Sequence, residues 1–351
     1  MKAKITIIDV AKRAGVSKGT VDRVLHNRGE VSAKSAAKVR KAIEELKYEP
    51  NLYASLLSSK STHVVACLLP DAAEGDYWDK IRQGFFVGAE YAATFGVRAR
   101  AYYYNQYDAA SFRASCAELL ASEPSGVVLP PLFMTDTMAL TEELRRRGIP
   151  YVYVDSKLED DNYFAYFGMP MYKSGYLCAC LLTARTSPED VKEVAVIRIN
   201  RDKNRQSDPT VNRRSGFLDY MDLYFPGTVI HNIFISPSEP EATESSLDEF
   251  FSAHPGVRHI VMFSSRVYLL RRYLLNHPVQ GRCVIGFDNL EKNMEMLSEG
   301  SVNLLISQRT ENQSRYAVTA LVDYLLMRRK PQGRDNYMHM DILTRYNTEN
   351  Y

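Results

Sequence analysis

Lys18, Gly19, Asp22, Arg23 and His26 fall on one side of the segment KGTVDRVLH, whose other side carries Val21, Val24 and Leu25 at helical spacing. A row of cations and hydrogen-bonding side chains on a short helix suits the edges of base pairs, because the major groove presents distinct donor and acceptor patterns to a helix lying in it. Two neighbouring segments complete the unit. Ile7, Val10, Ala11 and Ala14 repeat at the same period and stop at Gly15-Val16, and Ala36, Val39, Ile43 and Leu46 follow Ser32. Helix, tight turn and helix make a helix-turn-helix, with a third helix closing the small core. Thr6 with Asp9 three residues on forms a capping-box pattern, and Ser17 stands where the second helix needs an N-cap.

Charge agrees with this reading. The first 60 residues hold nine Lys and four Arg against two Asp and four Glu, an excess of +7 in a chain whose net charge is +2. The attraction for phosphate is therefore concentrated in one small module. A solvated three-helix bundle that touches no DNA is the plainer alternative, and the agreement of turn, caps, helix lengths and charge argues against it.

Residues 6–60 resemble the DNA-binding headpiece of the lactose-repressor (LacI/GalR) family, whose usual run is T-x-x-D-V-A-x-x-A-G-V-S-x-x-T-V-S-R-V-L, then V-S-x-x-T, then L-x-Y-x-P-N-x-x-A-x-x-L. The chain supplies nearly every one of those positions, including Thr20, Arg23, Val31-Ser32, Leu46, Tyr48, Pro50-Asn51, Ala54 and Leu57. The resemblance implies that Lys18, Gly19 and Arg23 read base edges and that Ser17, Thr20, Ser32, Ser35 and Tyr48 contact phosphate. Thr6, His26, Asn51 and Ala54 belong to the same DNA-facing set. Two departures stand out. Gly19 offers no side chain, and Asp22 replaces the usual serine, so a carboxylate must accept from a cytosine amino group or pair with Arg23 or Lys18. Leu52 to Ser59 is similar to the family's hinge helix, which forms when two copies pair on the operator and drives Leu57 into the minor groove. The alternative is that Leu56 and Leu57 pack against the body. A homodimer on a nearly palindromic double-stranded operator follows from the resemblance.

Behind the headpiece remain nearly 290 of the 351 residues, enough for a two-lobed body. Buried-strand runs alternate with amphipathic helices: HVVACLLP, VRARAYYY, GVVLPPL and YVYVD, then VAVIRI, VIHNIFI, HIVMF and CVIGF. Strands joined by crossover helices imply parallel sheets covered on both faces. The fold class is accordingly an α headpiece plus an α/β body of two doubly wound parallel-sheet lobes. No run approaches the ~18 apolar residues of a membrane span, and five cysteines without metal spacing fit a reducing compartment, so a cytoplasmic protein is expected. Cys178 and Cys180 face different directions on a helix, and the seven histidines show no ligand cluster, so neither metal nor cofactor is expected.

The body resembles the periplasmic-sugar-binding-protein-like (type I) domain that this family joins to its headpiece. LLPD at 68–71 with Tyr77-Trp78 and Gly84, RRSGF at 213–217, VIGFDN at 284–289 and ISQ at 306–308 carry that resemblance. It implies three crossings between lobes, near Phe167, Gln308 and Met327. The divisions are then a headpiece at 1–50, hinge and linker at 51–62, an N-terminal lobe at 63–167 and 308–326, and a C-terminal lobe at 168–307 and 327–351. It also places Asp71, Trp78, Asp155, Arg213, Ser265, Arg266, Asp288 and Gln308 around a cleft beyond the strands' carboxyl ends. Ser265-Arg266 stands where relatives commonly carry N-D, exchanging an acceptor of sugar hydroxyls for a fork that suits carboxylate or phosphate. With Arg213, and Arg309 as a further candidate, this points to an acidic effector such as a uronic acid or sugar phosphate. The alternative is that Arg266 pairs with Asp288 and the ligand is a neutral sugar. The expected function is a sequence-specific transcriptional regulator, a repressor in the simplest case, controlled by that effector. A cytoplasmic sugar-binding or sugar-processing protein with an appended helix-turn-helix is the runner-up, but no phosphate cradle of the form G-x-x-x-x-G-K-[ST] and no G-x-S-x-G elbow supports an enzyme.

Overall fold

The structure is a computed structural model that describes residues 5–26, 31–46, 48, 63–159, 162–184, 186–199 and 209–349. The chain divides into two compact units, Met1–Ser61 and Thr62–Tyr351.

In the first unit, α1 (Ile7–Ala14), α2 (Lys18–His26) and α3 (Ala33–Leu46) enclose Val10, Ala11, Ala14, Val21, Val39 and Ala42, with Ile7, Val24, Leu25, Ile43 and Leu46 at the rim. Six small or β-branched side chains make a thin core, so the local devices at the helix ends matter. Asp9 accepts from the Thr6 N–H at 2.9 Å and the Thr6 hydroxyl at 2.7 Å, closing the start of α1. Gly15, at φ 66°, lets the chain turn back while its N–H reaches the last carbonyls of α1. Arg13 and Glu45 pair at 2.5 Å between α1 and α3.

The second unit holds two six-stranded sheets. In chain order come β1 (Val64–Pro70), α4 (Tyr77–Thr94), β2 (Arg98–Tyr104), α5 (Ala109–Ala121), β3 (Gly126–Leu129), α6 (Met134–Arg146), β4 (Tyr151–Val154) and β5 (Ala165–Gly168). The chain then crosses to α7 (Met171–Thr183), β6 (Glu193–Ile199), α8 (Pro209–Tyr224), β7 (Val229–Ile235), α9 (Pro240–Ala253), β8 (His259–Met262), a 3-10 turn at Val267–Leu270, α10 (Arg271–Asn276), β9 (Cys283–Phe287), α11 (Glu291–Glu299) and β10 (Leu304–Ser307). It returns through α12 (Thr310–Met327) and ends on β11 (Asp335–Tyr337) and β12 (Asp341–Leu343). The strand orders are β11-β5-β4-β3-β1-β2 and β12-β10-β9-β8-β6-β7. Every pairing is parallel except that of β12 with β10. The central strands are apolar along their whole length because helices cover both faces, whereas edge strands β2 and β7 bury only part of theirs.

The two doubly wound lobes are those expected, with differences at the seam. β5, β10 and β11 were not anticipated as strands. The last crossing is also displaced. β11 joins the first sheet beside β5, so residues through Tyr337 belong to the N-terminal lobe and the chain crosses after Tyr337, not near Met327. The final strand is Asp341–Leu343.

Each lobe aligns one helix pair through glycine. A Cβ on Gly84 of α4 would stand 1.8 Å from the Glu311 carbonyl oxygen of α12, and one on Gly175 of α7 would stand 1.7 Å from the Arg213 carbonyl oxygen of α8. From the other side of that contact, a Cβ on Gly216 would lie 2.0 Å from the Tyr172 carbonyl oxygen. Backbone touching backbone fixes how far α8 reaches toward the strand ends, and hence where Arg213 stands. Because no rotamer change relieves such a clash, Gly175→Ala should destabilise the body by about 3 kcal/mol, the upper part of the usual overpacking range. Urea unfolding of the purified chain checks this; an unchanged midpoint contradicts it.

Candidate functional site: a helical DNA-facing surface and a cleft between lobes

On the first unit, Lys18, Gly19 and Arg23 are exposed along α2, and Asp22 and Thr20 are half-buried beside them. The hydroxyls predicted to meet phosphate are organised in pairs at two helix starts. Ser17 Oγ accepts from the Thr20 N–H at 3.2 Å and lies 3.0 Å from Thr20 Oγ1; Ser32 Oγ accepts from the Ser35 N–H at 3.2 Å and donates to Ser35 Oγ at 2.9 Å. Exposed N-termini with hydroxyl caps attract anions through unpaired N–H groups and the positive end of the helix dipole. Tyr48 is half-buried against the small core, its N–H bonded to the Ile43 carbonyl at 2.9 Å. The side chain of His26, and Asn51, Ala54 and Leu57 with the rest of the hinge segment, lie outside the described residues.

In the body, Trp78, Asp155, Arg213, Ser265, Arg266, Asp288 and Gln308 line one cavity of about 750 Å³ counted to its open mouth. Asp71 is the exception: it is exposed at the end of β1, where its carboxylate accepts from the next N–H, of Ala72, at 3.1 Å, and it does not line the cavity. Arg309 does not line it either, since its guanidinium makes a two-point pair with Asp341 at 2.6 and 3.1 Å.

The floor of the cleft is a chain of hydrogen bonds running from one lobe to the other. The Tyr77 hydroxyl donates to Asp155 at 2.5 Å, Gln308 Nε2 donates to the Tyr77 oxygen at 3.2 Å and to Asp288 at 2.9 Å, and Gln313 Nε2 donates to Gln308 Oε1 at 3.2 Å. Gln313 Oε1 in turn accepts from the Asp155 N–H at 2.8 Å. Asp155 and Asp288 end the corresponding strands β4 and β9, are 3% and 1% exposed, and both adopt left-handed backbone, φ 66° and 67°. That conformation costs a residue with a Cβ about 1–3 kcal/mol and recurs where a site needs a side chain aimed. Arg213, 4% exposed, donates to the Phe263 carbonyl at 2.7 Å and lies over the Phe287 ring at 4.3 Å. Its Nε–H has no hydrogen-bond partner among the described residues, a donor that a bound ligand can satisfy. At the mouth, Arg266 of the C-terminal lobe reaches across to the hydroxyl of Tyr107 in the N-terminal lobe at 3.2 Å.

Tyr77, Gln313 and Tyr107 were not singled out as site residues. Tyr77 had a signal: it adjoins Trp78 in the first turn of the helix after β1, the end that faces the cleft. Gln313 and Tyr107 reach the site only through tertiary contact. Trp78 is buried at 8% exposed and meets Tyr77 edge-on at 5.1 Å between ring centroids, so it presents little more than an edge to the cavity.

Burial pushes the Asp288 carboxyl up to about 6; the Asp155 and Glu311 charges push the same way, and Arg213 and the Gln308 bond offset part of it. Desolvation, reinforced by the Asp155 and Asp288 charges, holds the Tyr77 hydroxyl well above the usual phenol range, so it remains a donor. Asp288 binds its proton more tightly folded than unfolded. Its burdensome charge therefore begins to weigh on the fold above the unfolded value of 3.8 and does so in full above about 6, a cost of about 3 kcal/mol. Asp288→Asn should thus stabilise the ligand-free chain by up to that amount at pH 8 and by nothing near pH 4. Urea unfolding of both chains across that range is the check, and a gain that does not grow with pH contradicts it.

Residues 65–328 match the periplasmic binding protein domain, and residues 6–51 match the bacterial regulatory proteins of the lacI family. The crystal structure of a candidate LacI transcriptional regulator from Bacteroides fragilis is similar to 83% of this chain over 100% of its own, at 32% identity and a TM-score of 0.77. GanP, a glucose-galactose binding protein from Geobacillus stearothermophilus, shares the fold at 18% identity and a TM-score of 0.66, over 83% of this chain and 100% of that one. The transcriptional regulator MalR of Streptococcus pneumoniae is 48% identical over 73 residues, 21% of this chain and 22% of its own length. The chain thus matches about a fifth of the length of that relative, all of it in one stretch, whereas the sucrose operon repressor of Pediococcus pentosaceus is 27% identical over 224 residues, 63% of this chain and 61% of that one. A lacI-type helix-turn-helix followed by a periplasmic-binding-protein body with its polar cleft places the chain in the lacI family of bacterial regulatory proteins.

Proposed function

We propose that this chain is a sequence-specific transcriptional regulator that binds a nearly palindromic operator as a homodimer in the cytoplasm and is governed by a sugar held between the lobes of its body. The observation that carries the reading is the hydrogen-bonded floor of the cleft, Asp155, Tyr77, Gln308 and Asp288 with Arg213 beside them, in which acceptors and donors from both lobes meet. A polyhydroxyl ligand satisfies such a mixed set, each hydroxyl giving one bond and accepting another. Lys18 and Arg23 read bases, the hydroxyl pairs at the starts of α2 and α3 hold phosphate, and Leu57 wedges the central step.

Arg266 favours an acidic sugar over a neutral one. Its bond goes to a tyrosine hydroxyl, and the carboxylate whose charge reaches it is Asp76 on the same cavity wall, not Asp288. A ligand carboxylate or phosphate is the natural partner for a half-buried guanidinium.

Control follows from linkage. A ligand that prefers one arrangement of the lobes shifts the population that can pair its hinge helices on DNA, and DNA must alter ligand affinity by the same factor. Fluorescence anisotropy on a selected operator, at fixed salt with a panel of neutral and acidic sugars, tests the whole reading. Arg23→Ala should cost about 1–3 kcal/mol in operator binding and relax sequence preference. Arg266→Gln should weaken an acidic effector at least about tenfold, the loss of one charge-assisted bond, while leaving a neutral sugar nearly unaffected. Calorimetric binding of neutral sugars alone refutes the acidic preference, and the absence of a salt-sensitive operator preference refutes the regulator.

A further inference from the structure

The C-terminal lobe carries a second cluster of chemistry-bearing side chains, at the opposite end of its sheet from the cleft. Glu193 opens β6, His231 lies on edge strand β7, and His254 directly follows α9. β6 runs from Glu193 to Ile199, so about 20 Å of strand separates this cluster from the strand ends that bear the cleft. One carboxylate oxygen, Glu193 Oε1, lies 2.8 Å from His231 Nε2 and 2.8 Å from His254 Nδ1. The three potential donor atoms all lie within 4.8 Å of one another.

We infer that Glu193, His231 and His254 form a binding site for a divalent transition-metal ion of the zinc class. Two imidazoles and one carboxylate are a ligand set that zinc accepts, with a fourth position for water. Donors around a tetrahedral ion at about 2.0–2.1 Å stand roughly 3.4 Å apart, so each nitrogen must withdraw from the carboxylate by about half an ångström, and the two nitrogens, now within 4.8 Å of each other, must settle to the same spacing. Because an ionised carboxylate only accepts, both rings now turn an N–H toward it; in the metal-bound state each ring carries its proton on the other nitrogen and coordinates through the one already aimed inward. The rings are held in place beforehand. Phe250 stacks on His254 at 4.7 Å and meets His231 edge-on at 5.1 Å, and the His254 backbone N–H is tied to the Phe250 carbonyl at 2.9 Å. Hydrogen bonds, chiefly that from His231, hold the Glu193 carboxyl below its usual range, so the site presents its anionic ligand. All three side chains are half-buried, with 20 to 34% of each exposed, which leaves a path for a hydrated ion. Occupancy would staple an edge strand to its neighbour and to the end of a helix, stabilising this lobe by mass action.

The test is titration of the tag-free, chelator-treated full chain with cobalt(II), followed by its visible absorption, and then displacement by zinc(II). The expected result is one equivalent bound per chain with the spectrum of a four-coordinate ion, and at least tenfold weaker binding in both His254→Gln and Glu193→Gln. The glutamine at 254 keeps a donor for Glu193, and an unchanged metal-free melting temperature confirms that this variant folds. Cys180→Ser, which removes the exposed thiol, should bind as the parent chain does. Absence of stoichiometric binding, or equal binding by the parent chain and His254→Gln, overturns the proposal.

Discussion

Two carboxylates and a guanidinium stand nearly dry at the meeting of two sheets, and most of the body serves to keep them there. Burying such charges costs several kcal/mol each unless they are paired and hydrogen-bonded. Here the repayment is partial. Asp288 has Gln308 and the nearby Arg213 charge, Asp155 has Tyr77, and Gln313 fastens both Gln308 and the backbone at Asp155. The raised Asp288 carboxyl and the unpaired Arg213 Nε–H measure what is still owed. A ligand that supplies partners for these groups draws affinity from them, which is how marginal native stability is exchanged for binding.

That network constrains the architecture outward. Left-handed backbone at Asp155 and Asp288 turns matching strand ends toward each other, and contacts at Gly84, Gly175 and Gly216 let helices lie close enough to present Tyr77 and Arg213 at the same level. The three crossings, after Gly168, around Gln308 and after Tyr337, run close to the network, and Gln308 belongs to both the crossing and the cleft. A ligand drawing the lobes together acts directly on a segment joining them. In the regulator proposed above, coupling of cleft to operator needs only a difference in affinity between two lobe arrangements, since a ligand indifferent to them shifts nothing.

The helix-turn-helix was readable residue by residue because its determinants are local. Period, Gly15, the Thr6–Asp9 box and the Ser17 cap all act within four residues of sequence, and each recurs in the folded head as an observed bond or dihedral. The long parallel strands were equally readable, being continuous apolar runs. β5 (AYFG) and β11 (DNY) were not, because neither carries a β-branched residue and both depend on the neighbour they pair with, and so the final crossing was displaced by about ten residues from its expected place.

In the cleft, the family resemblance named eight side chains, and seven of them share the cavity. Their partnerships came only with folding. Arg309 pairs with Asp341, Arg266 bonds to Tyr107 and Asp155 to Tyr77, the last two pairs being 159 and 78 residues apart in sequence. The histidines make the same point most sharply. Expected to form no cluster, His231 and His254 converge on Glu193 because strand register sets β6 beside β7 and α9 packs against them. Local order, charge distribution and helical caps are properties of neighbours along the chain and can be read there; which distant charges meet, and how dry they become, is settled by the packing of whole sheets and helices, whose energy is spread over many contacts and written at no single position.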